Sequence, residues 1–260
     1  MVKERLNIKL LQLDLAWENP LDNRNKIEKL LSDNPAQADV ILFPEMFPTG
    51  FTMNLELAEP MDGDTVKWMK QMSVSLKSAI GGSVSIRENG KFYNRFVWCS
   101  PQGEIITYNK RHLFRMGEEH ENFTAGESLT TIVYHGWKIR PFICYDLRFP
   151  VWSRNINNDY DVLINVANWP AARKEAFEIL IKARAIENLC YSVGLNRIGI
   201  DGNNIQYSGG SLVADPKGKC LLEPLPEEEI AESISLDYME LIGFRNKFPA
   251  WKDADNFKLD

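Results

Sequence analysis

The sequence predicts an α/β protein folded as a single domain, and three observations predict it. Apolar runs of strand length alternate along the chain with segments whose apolar residues recur at helical spacing. Two of the runs, residues 39–43 (Asp-Val-Ile-Leu-Phe) and 161–166 (Asp-Val-Leu-Ile-Asn-Val), are alike and each stops in a polar loop, which fits two strand–helix halves of one pseudo-symmetric sandwich. No linker, low-complexity tract or composition shift divides the 260 residues, and at 44% hydrophobic content they can bury one large core.

Taken in order, residues 6–13 alternate apolar and polar positions as a strand does, and residues 22–31 place Ile27, Leu30 and Leu31 at helical spacing. Residues 39–43 form a continuous apolar run, the pattern of a strand covered on both faces, and stop at Pro44-Glu45. A helix follows over 64–77 with Asp64 as its N-cap. Strands are predicted at 79–86, 92–100 and 104–109, separated by the turn sequences Glu88-Asn89-Gly90 and Pro101-Gln102-Gly103. The second half repeats the rhythm. Strands at 130–134 and 137–143 meet through His135-Gly136, a short helix is expected over 149–155, and the strand at 161–166 ends at Asn168-Trp169-Pro170. A long helix over 172–188 precedes strands at 190–199, 211–214, 219–222 and 231–236, and the aromatic-rich tail 244–260 is expected to dock rather than float.

Composition removes several classes of function. The formal charge of −6 with no clustered basic run argues against a nucleic-acid partner, since Lys110-Arg111-His112 is too short to neutralise a phosphate backbone. No apolar stretch is long enough to span a membrane, and charges at Lys3, Glu4 and Arg5 make the N-terminal run a poor signal peptide, so a cytoplasmic protein is expected. Cys99, Cys144, Cys190 and Cys220 lie far apart without CxxC spacing, which argues against a disulfide framework, and the three histidines have no metal-ligand context.

Three apolar strands end in an ionisable residue: Glu45, Lys110 and Cys144. In layered α/β folds ligands bind at strand ends, so the three could converge on one site. Each also has a structural reading, with Glu45 capping a helix, Lys110 solvated and Cys144 packed as a small hydrophobe. Cys144 stands out because Pro141-Phe142-Ile143 delivers it onto the polar turn 145–150, where free backbone N–H groups favour a thiolate and can hold an oxyanion.

Phe43-Pro44-Glu45-Met46, the segment 108–114 (Tyr-Asn-Lys-Arg-His-Leu-Phe) and the segment 144–150 (Cys-Tyr-Asp-Leu-Arg-Phe-Pro) resemble, in order, the three signatures of the nitrilase (carbon–nitrogen hydrolase) superfamily. Residues 167–170, 182–188 and 247–251 make the chain similar to its omega-amidase-like branch. The resemblance implies a four-layer α-β-β-α sandwich over residues 1–260 and a Glu-Lys-Cys triad, with Glu45 as general base, Lys110 as electrostatic stabiliser and Cys144 as nucleophile. The Tyr145 N–H would complete the oxyanion hole, and no metal or organic cofactor is required. The resemblance also implies a second glutamate in the loop after the lysine; Glu119, whose spacing to Gly126 fits the family best, is the candidate, with Glu118 and Glu121 as competitors and a solvated acidic loop as the alternative.

For the substrate, the fork of Arg148 could hold a carboxylate, or pair structurally with Asp146 or another acid. Asn168 and Trp169 could line the pocket, or Trp169 could simply pack. His112 is expected to orient the Lys110 loop, and the other cysteines to lie in the core. The expected activity is release of ammonia from the terminal amide of a short 2-oxo acid, 2-oxoglutaramate or 2-oxosuccinamate. Its rivals are hydrolysis of an N-carbamoyl amino acid, deaminated glutathione or a nitrile, and, outside enzymes, a non-catalytic binding subunit on the same scaffold. The resemblance also implies a homodimer or higher homo-oligomer through 149–155 and 172–188.

Overall fold

The computed structural model describes residues 2–35 and 37–255. The first half contributes strands β1 (Arg5–Gln12), β2 (Val40–Leu42), β3 (Ala79–Glu88), β4 (Lys91–Cys99) and β5 (Ile105–Asn109), with helices α1 (Pro20–Asp33), α2 (Asp64–Leu76) and the single turn α3 (Glu119–Asn122). The second half contributes β6 (Ile132–Tyr134), β7 (Trp137–Ile143), the short helix α4 (Pro150–Ser153), β8 (Val162–Ala167), α5 (Lys174–Asn188) and β9 (Tyr191–Asn196). It continues with β10 (Ile198–Ile200), β11 (Gln206–Ser208), β12 (Leu212–Ala214), β13 (Cys220–Leu222), β14 (Ile230–Asp237) and α6 (Tyr238–Lys247).

Two six-stranded sheets result, ordered β14-β1-β2-β3-β4-β5 and β13-β12-β9-β8-β7-β6. Each has three parallel strands at its centre, β1-β2-β3 and β7-β8-β9, flanked by antiparallel ones. Alternation along the strands explains the layering. Leu6, Ile8 and Leu10 of β1 and Val40 and Leu42 of β2 face the other sheet, where they meet Ile139, Ile164 and Val193 in one core. Leu11, Ile41 and Phe43 point the other way into a second core under α1 and α2 with Ile27, Val66 and Met69. Phe177 and Ile181 of α5 close the opposite outer face against Ala167 and Leu212. The order is therefore helix, sheet, sheet, helix, an α-β-β-α sandwich in one domain.

Several boundaries differ from the sequence expectation for physical reasons. Asn19, not a later residue, caps α1 by accepting from Asp22 N at 3.2 Å, with Pro20 opening the helix. Asp64 is the first residue of α2 rather than its cap; Gly63 holds that position, and Glu59 reaches in to accept from Thr65 N at 2.7 Å. The run 190–199 is two strands, because Arg197 turns inward to bind Ile198 O and Leu15 O, and β10 leaves the large sheet to pair with β11. The segment 149–155 holds only one turn of α-helix, α4, preceded by a 3-10 turn at Cys144–Arg148. Helix α6, unmarked by strong periodicity, is anchored by Arg245, which donates to Asp161 at 2.7 Å and to Leu189 O at 2.8 Å. Of the tail expected to dock, residues 256–260 lie outside the described residues. Among the described residues no helix is long and apolar enough to cross a membrane.

Candidate active site

The ends of β2, β5, β7 and β8 open at the same edge of the two facing sheets, and each hands a polar residue to one buried cluster. Beyond β2, Glu45 is fully buried; Ser83 on β3 accepts from Met46 N at 2.7 Å and so fixes the chain immediately after it. Beyond β5, Lys110 is buried and donates to Glu45 Oε1 at 2.7 Å and to Glu119 Oε2 at 2.8 Å. Glu119 also accepts from Phe114 N at 2.7 Å, which folds its loop back over the lysine. Of the three neighbouring glutamates, Glu118 and Glu121 are exposed and Glu119 alone is buried against Lys110. The loop can approach because residue 126 is glycine: its N–H donates to Lys110 O at 2.8 Å, and a Cβ there would overlap the Asn109 carbonyl.

Cys144 follows β7 with φ of +43°, a left-handed conformation that non-glycine residues rarely hold. It opens a 3-10 turn whose first N–H groups, Tyr145 included, have no acceptor within the turn. Asp146 pins that turn. Its carboxylate accepts from Ile143 N at 3.1 Å, from Tyr108 OH at 2.8 Å and from His112 N at 2.9 Å. The cysteine Sγ lies 3.8 Å from Asn168 O, and Asn168, just past β8, donates through its main chain to Glu45 Oε2 at 2.8 Å and through its side chain to Glu45 O at 2.7 Å.

Electrostatics follow from this packing. Burial works against the Lys110 ammonium, but the Glu119 and Glu45 carboxylates outweigh it and hold the lysine above its ordinary value. Burial raises Glu119, opposed by Lys110 and reinforced by Glu45. Burial and the Glu45 carboxylate push the Cys144 thiol well above its usual range, against the pull of Lys110. Burial and the two carboxylates thus oppose the thiolate that the turn's free N–H groups and the Lys110 ammonium favour.

Cys144 and Asn168 form the floor of a pocket of about 210 Å³. Arg148 enters it with its guanidinium 4.9 Å above the Trp169 ring and not paired with Asp146, whose acceptors are already used. Trp169 is 3% exposed and both lines the pocket and packs on Phe177.

A family model described as carbon-nitrogen hydrolase matches residues 8–242. The chain belongs to the carbon-nitrogen hydrolase family. The hydrolase is 41% identical over 254 residues to the omega-amidase YafV of Escherichia coli K12, covering 98% of each chain. It is 34% identical over 251 residues to a 2-oxoglutaramate amidase of Bacillus subtilis, covering 95% of this chain and 96% of the relative. Among solved structures, a CN-hydrolase superfamily protein from Xanthomonas campestris, with an arsenic adduct in its active site, superposes with a TM-score of 0.96 at 40% identity over 99% of this chain and 100% of its own. The hydrolase is a C–N amide hydrolase of the omega-amidase-like branch of the nitrilase superfamily.

Sequence reasoning missed several parts of this hydrolase's site. Asn94 on β4 donates from Nδ2 to Glu45 Oε1 and to Glu119 Oε1, each at 2.9 Å, and its Oδ1 accepts from Ser83 at 2.9 Å. Its signal was a lone amide alternating with Phe92, Phe96 and Trp98 on one strand face. Arg173 and the β10–β11 hairpin, which brings Asp201 and Tyr207 to the rim, carried no local signal.

Proposed function

We propose that this hydrolase releases ammonia from the terminal amide of a short 2-oxo dicarboxylic acid monoamide, 2-oxoglutaramate or 2-oxosuccinamate, through a thioester on Cys144. The observation that carries the reading is the buried Glu45–Lys110–Glu119 cluster set against Cys144 on the floor of a pocket entered by Arg148. The names of the relatives support the amide class.

In this scheme Glu45 takes the thiol proton as sulfur attacks the amide carbon, so the thiolate forms only as it is consumed. The oxyanion is held by the Lys110 ammonium and the Tyr145 N–H. On collapse the C–N bond breaks and nitrogen leaves as ammonia with the proton from Glu45. Water then attacks the thioester, Glu45 takes its proton, the C–S bond breaks and the thiol is restored as the dicarboxylate departs. Glu119 keeps Lys110 charged and placed. Arg148 holds the substrate carboxylate. In the same reading the enzyme works in the cytoplasm as a homodimer through α4 and α5, a surface supported by the exposed side chains of Val151, Ile179 and Ile186.

The test is ammonia release from 2-oxoglutaramate and 2-oxosuccinamate, compared with glutamine, an N-carbamoyl amino acid and a simple nitrile. Turnover of the 2-oxo amides by wild type, its loss in Cys144→Ala, and an acyl adduct on Cys144 after acid quench are the expected results. Turnover of none of them, or full rate in Cys144→Ala, would sink the reading.

A further inference from the structure

Two guanidinium groups line the pocket, those of Arg148 and Arg173, and neither has a carboxylate partner among the described residues. Both are half-buried and held by rings rather than by acids. Arg148 lies over Trp169, and Arg173 lies 5.4 Å from the centre of the Phe114 ring. Trp169 joins the two, since its Nε1 donates at 2.8 Å to the Arg173 carbonyl while its face carries Arg148. The one acid on the pocket wall, Asp201, is already committed: it accepts from Tyr207 OH at 2.8 Å, Asn203 N at 2.8 Å and Ile205 N at 3.0 Å. In a chain with a net charge of −6, two guanidinium groups without an ion-pair partner therefore face a small, partly desolvated cavity whose single carboxylate is turned to neutral donors.

We propose that Arg173 is a specificity-determining residue which, with Arg148, forms a two-cation cleft that accepts a carboxylate together with an adjacent 2-oxo oxygen and rejects a 2-ammonium group. The proposal rests on the substrate reading above and adds the choice at C2. A 2-oxo acid offers a carboxylate and a neighbouring carbonyl acceptor, enough oxygen to satisfy both forks. An amino-acid amide such as glutamine offers the same carboxylate, but puts an ammonium beside a guanidinium, where like charges in a desolvated pocket repel. Selection thus works by repulsion of the amino acid as well as by attraction of the oxo acid.

The test uses the full-length chain and four amides: 2-oxoglutaramate, glutaramate (the same carboxylate with no C2 substituent), glutamine and neutral pentanamide. In Arg173→Gln the ratio of kcat/KM for 2-oxoglutaramate over glutamine should fall about 10- to 100-fold, mostly through KM for the oxo acid. The loss on 2-oxoglutaramate should exceed that on pentanamide about 10-fold or more. Arg173→Lys should keep the discrimination against glutamine, because it keeps the charge. If Arg173→Gln leaves the 2-oxo to 2-amino ratio at its wild-type value, or reduces all four amides equally, the cleft is wrong and Arg148 alone reads the carboxylate. A wild-type enzyme with no preference for 2-oxoglutaramate over pentanamide would overturn the substrate reading and the cleft together, whereas a preference that stays at its full wild-type size in Arg173→Gln overturns only the cleft.

Discussion

One oxygen of Asp146 binds His112 twice, accepting from its main-chain N–H at 2.9 Å and from ring Nδ1 at 2.8 Å. Asp146 lies two residues after Cys144 and His112 two residues after Lys110, so this contact ties the cysteine turn to the lysine loop. The His112 ring is in turn stacked on Phe149, with centroids 3.7 Å apart and planes at 6°. Every neighbour of the buried carboxylate is a donor, and Asn cannot replace it without turning an NH2 toward donors. Asp146→Asn should therefore cost about 2–4 kcal/mol in urea unfolding and lower kcat about 10- to 100-fold, through displacement of Cys144 from Lys110. An unchanged unfolding midpoint would show that the clamp is dispensable.

The pH profile follows from the buried charges. Lys110 is held above its ordinary 10.5 and the Cys144 thiol above its ordinary 9.0, so kcat/KM should show no basic limb below about pH 9. On the acid side Glu119 is raised from 4.5, and protonation in the coupled cluster should produce a limb above the ordinary carboxylate range. In Glu119→Gln that titration is absent and the limb should move to lower pH, with kcat reduced. Stability gives an independent reading. A raised value means the folded chain binds this proton more tightly than the unfolded chain, so Glu119 makes stability fall as pH rises from about 4.5 through its folded value. Urea titrations across that window should show the slope in wild type and lose it in Glu119→Gln.

What could be read from sequence was whatever is encoded by period or by a short run. The two-residue alternation of Leu6, Ile8 and Leu10 and the apolar runs ending at Glu45, Lys110 and Cys144 carry their own strand assignments, and chain order alone suggests that such ends meet. The upward shift of the Cys144 thiol could not be read, because it comes from burial and from Glu45 and Glu119, 99 and 25 residues away. The β10–β11 hairpin was invisible for a similar reason. Its strand break is set by Arg197 reaching Asp14 at 2.8 Å, a contact across 183 residues that leaves no local mark. Helix α6 likewise depends on Arg245 finding Asp161, not on an apolar stripe.

Asn94 offers a direct test of a residue that pattern alone did not single out. A single amide nitrogen serves both carboxylates flanking Lys110, so removing it leaves two buried acceptors short of a donor and frees the glutamates to shift. Asn94→Ala should lower kcat about 10- to 100-fold with a smaller change in KM, as expected where the ground-state contacts of the substrate are untouched. Asn94→Asp places a third carboxylate in the cluster and should be worse than alanine. If the aspartate variant is the more active of the two, the amide is not acting as a donor to Glu45 and Glu119.

Gly126 tests whether the glutamate loop must lie against the lysine strand. The glycine is buried, its N–H is bound to Lys110 O, and it leaves no room for a Cβ beside Asn109. Gly126→Ala has to push the segment off the end of β5, and the rigid atom it meets is a backbone carbonyl that cannot swing aside. Glu119 would then withdraw from Lys110, leaving a buried ammonium with one carboxylate fewer. The expected result is a loss of kcat comparable to that of Glu119→Gln, together with the same movement of the acid limb to lower pH. Far from the site, Gly90 sits in an open turn at φ of +74° with space for a Cβ, so Gly90→Ala should cost about 1 kcal/mol of stability with little effect on rate. Equal kinetic effects from the two substitutions would mean that the Gly126 contact does not position Glu119.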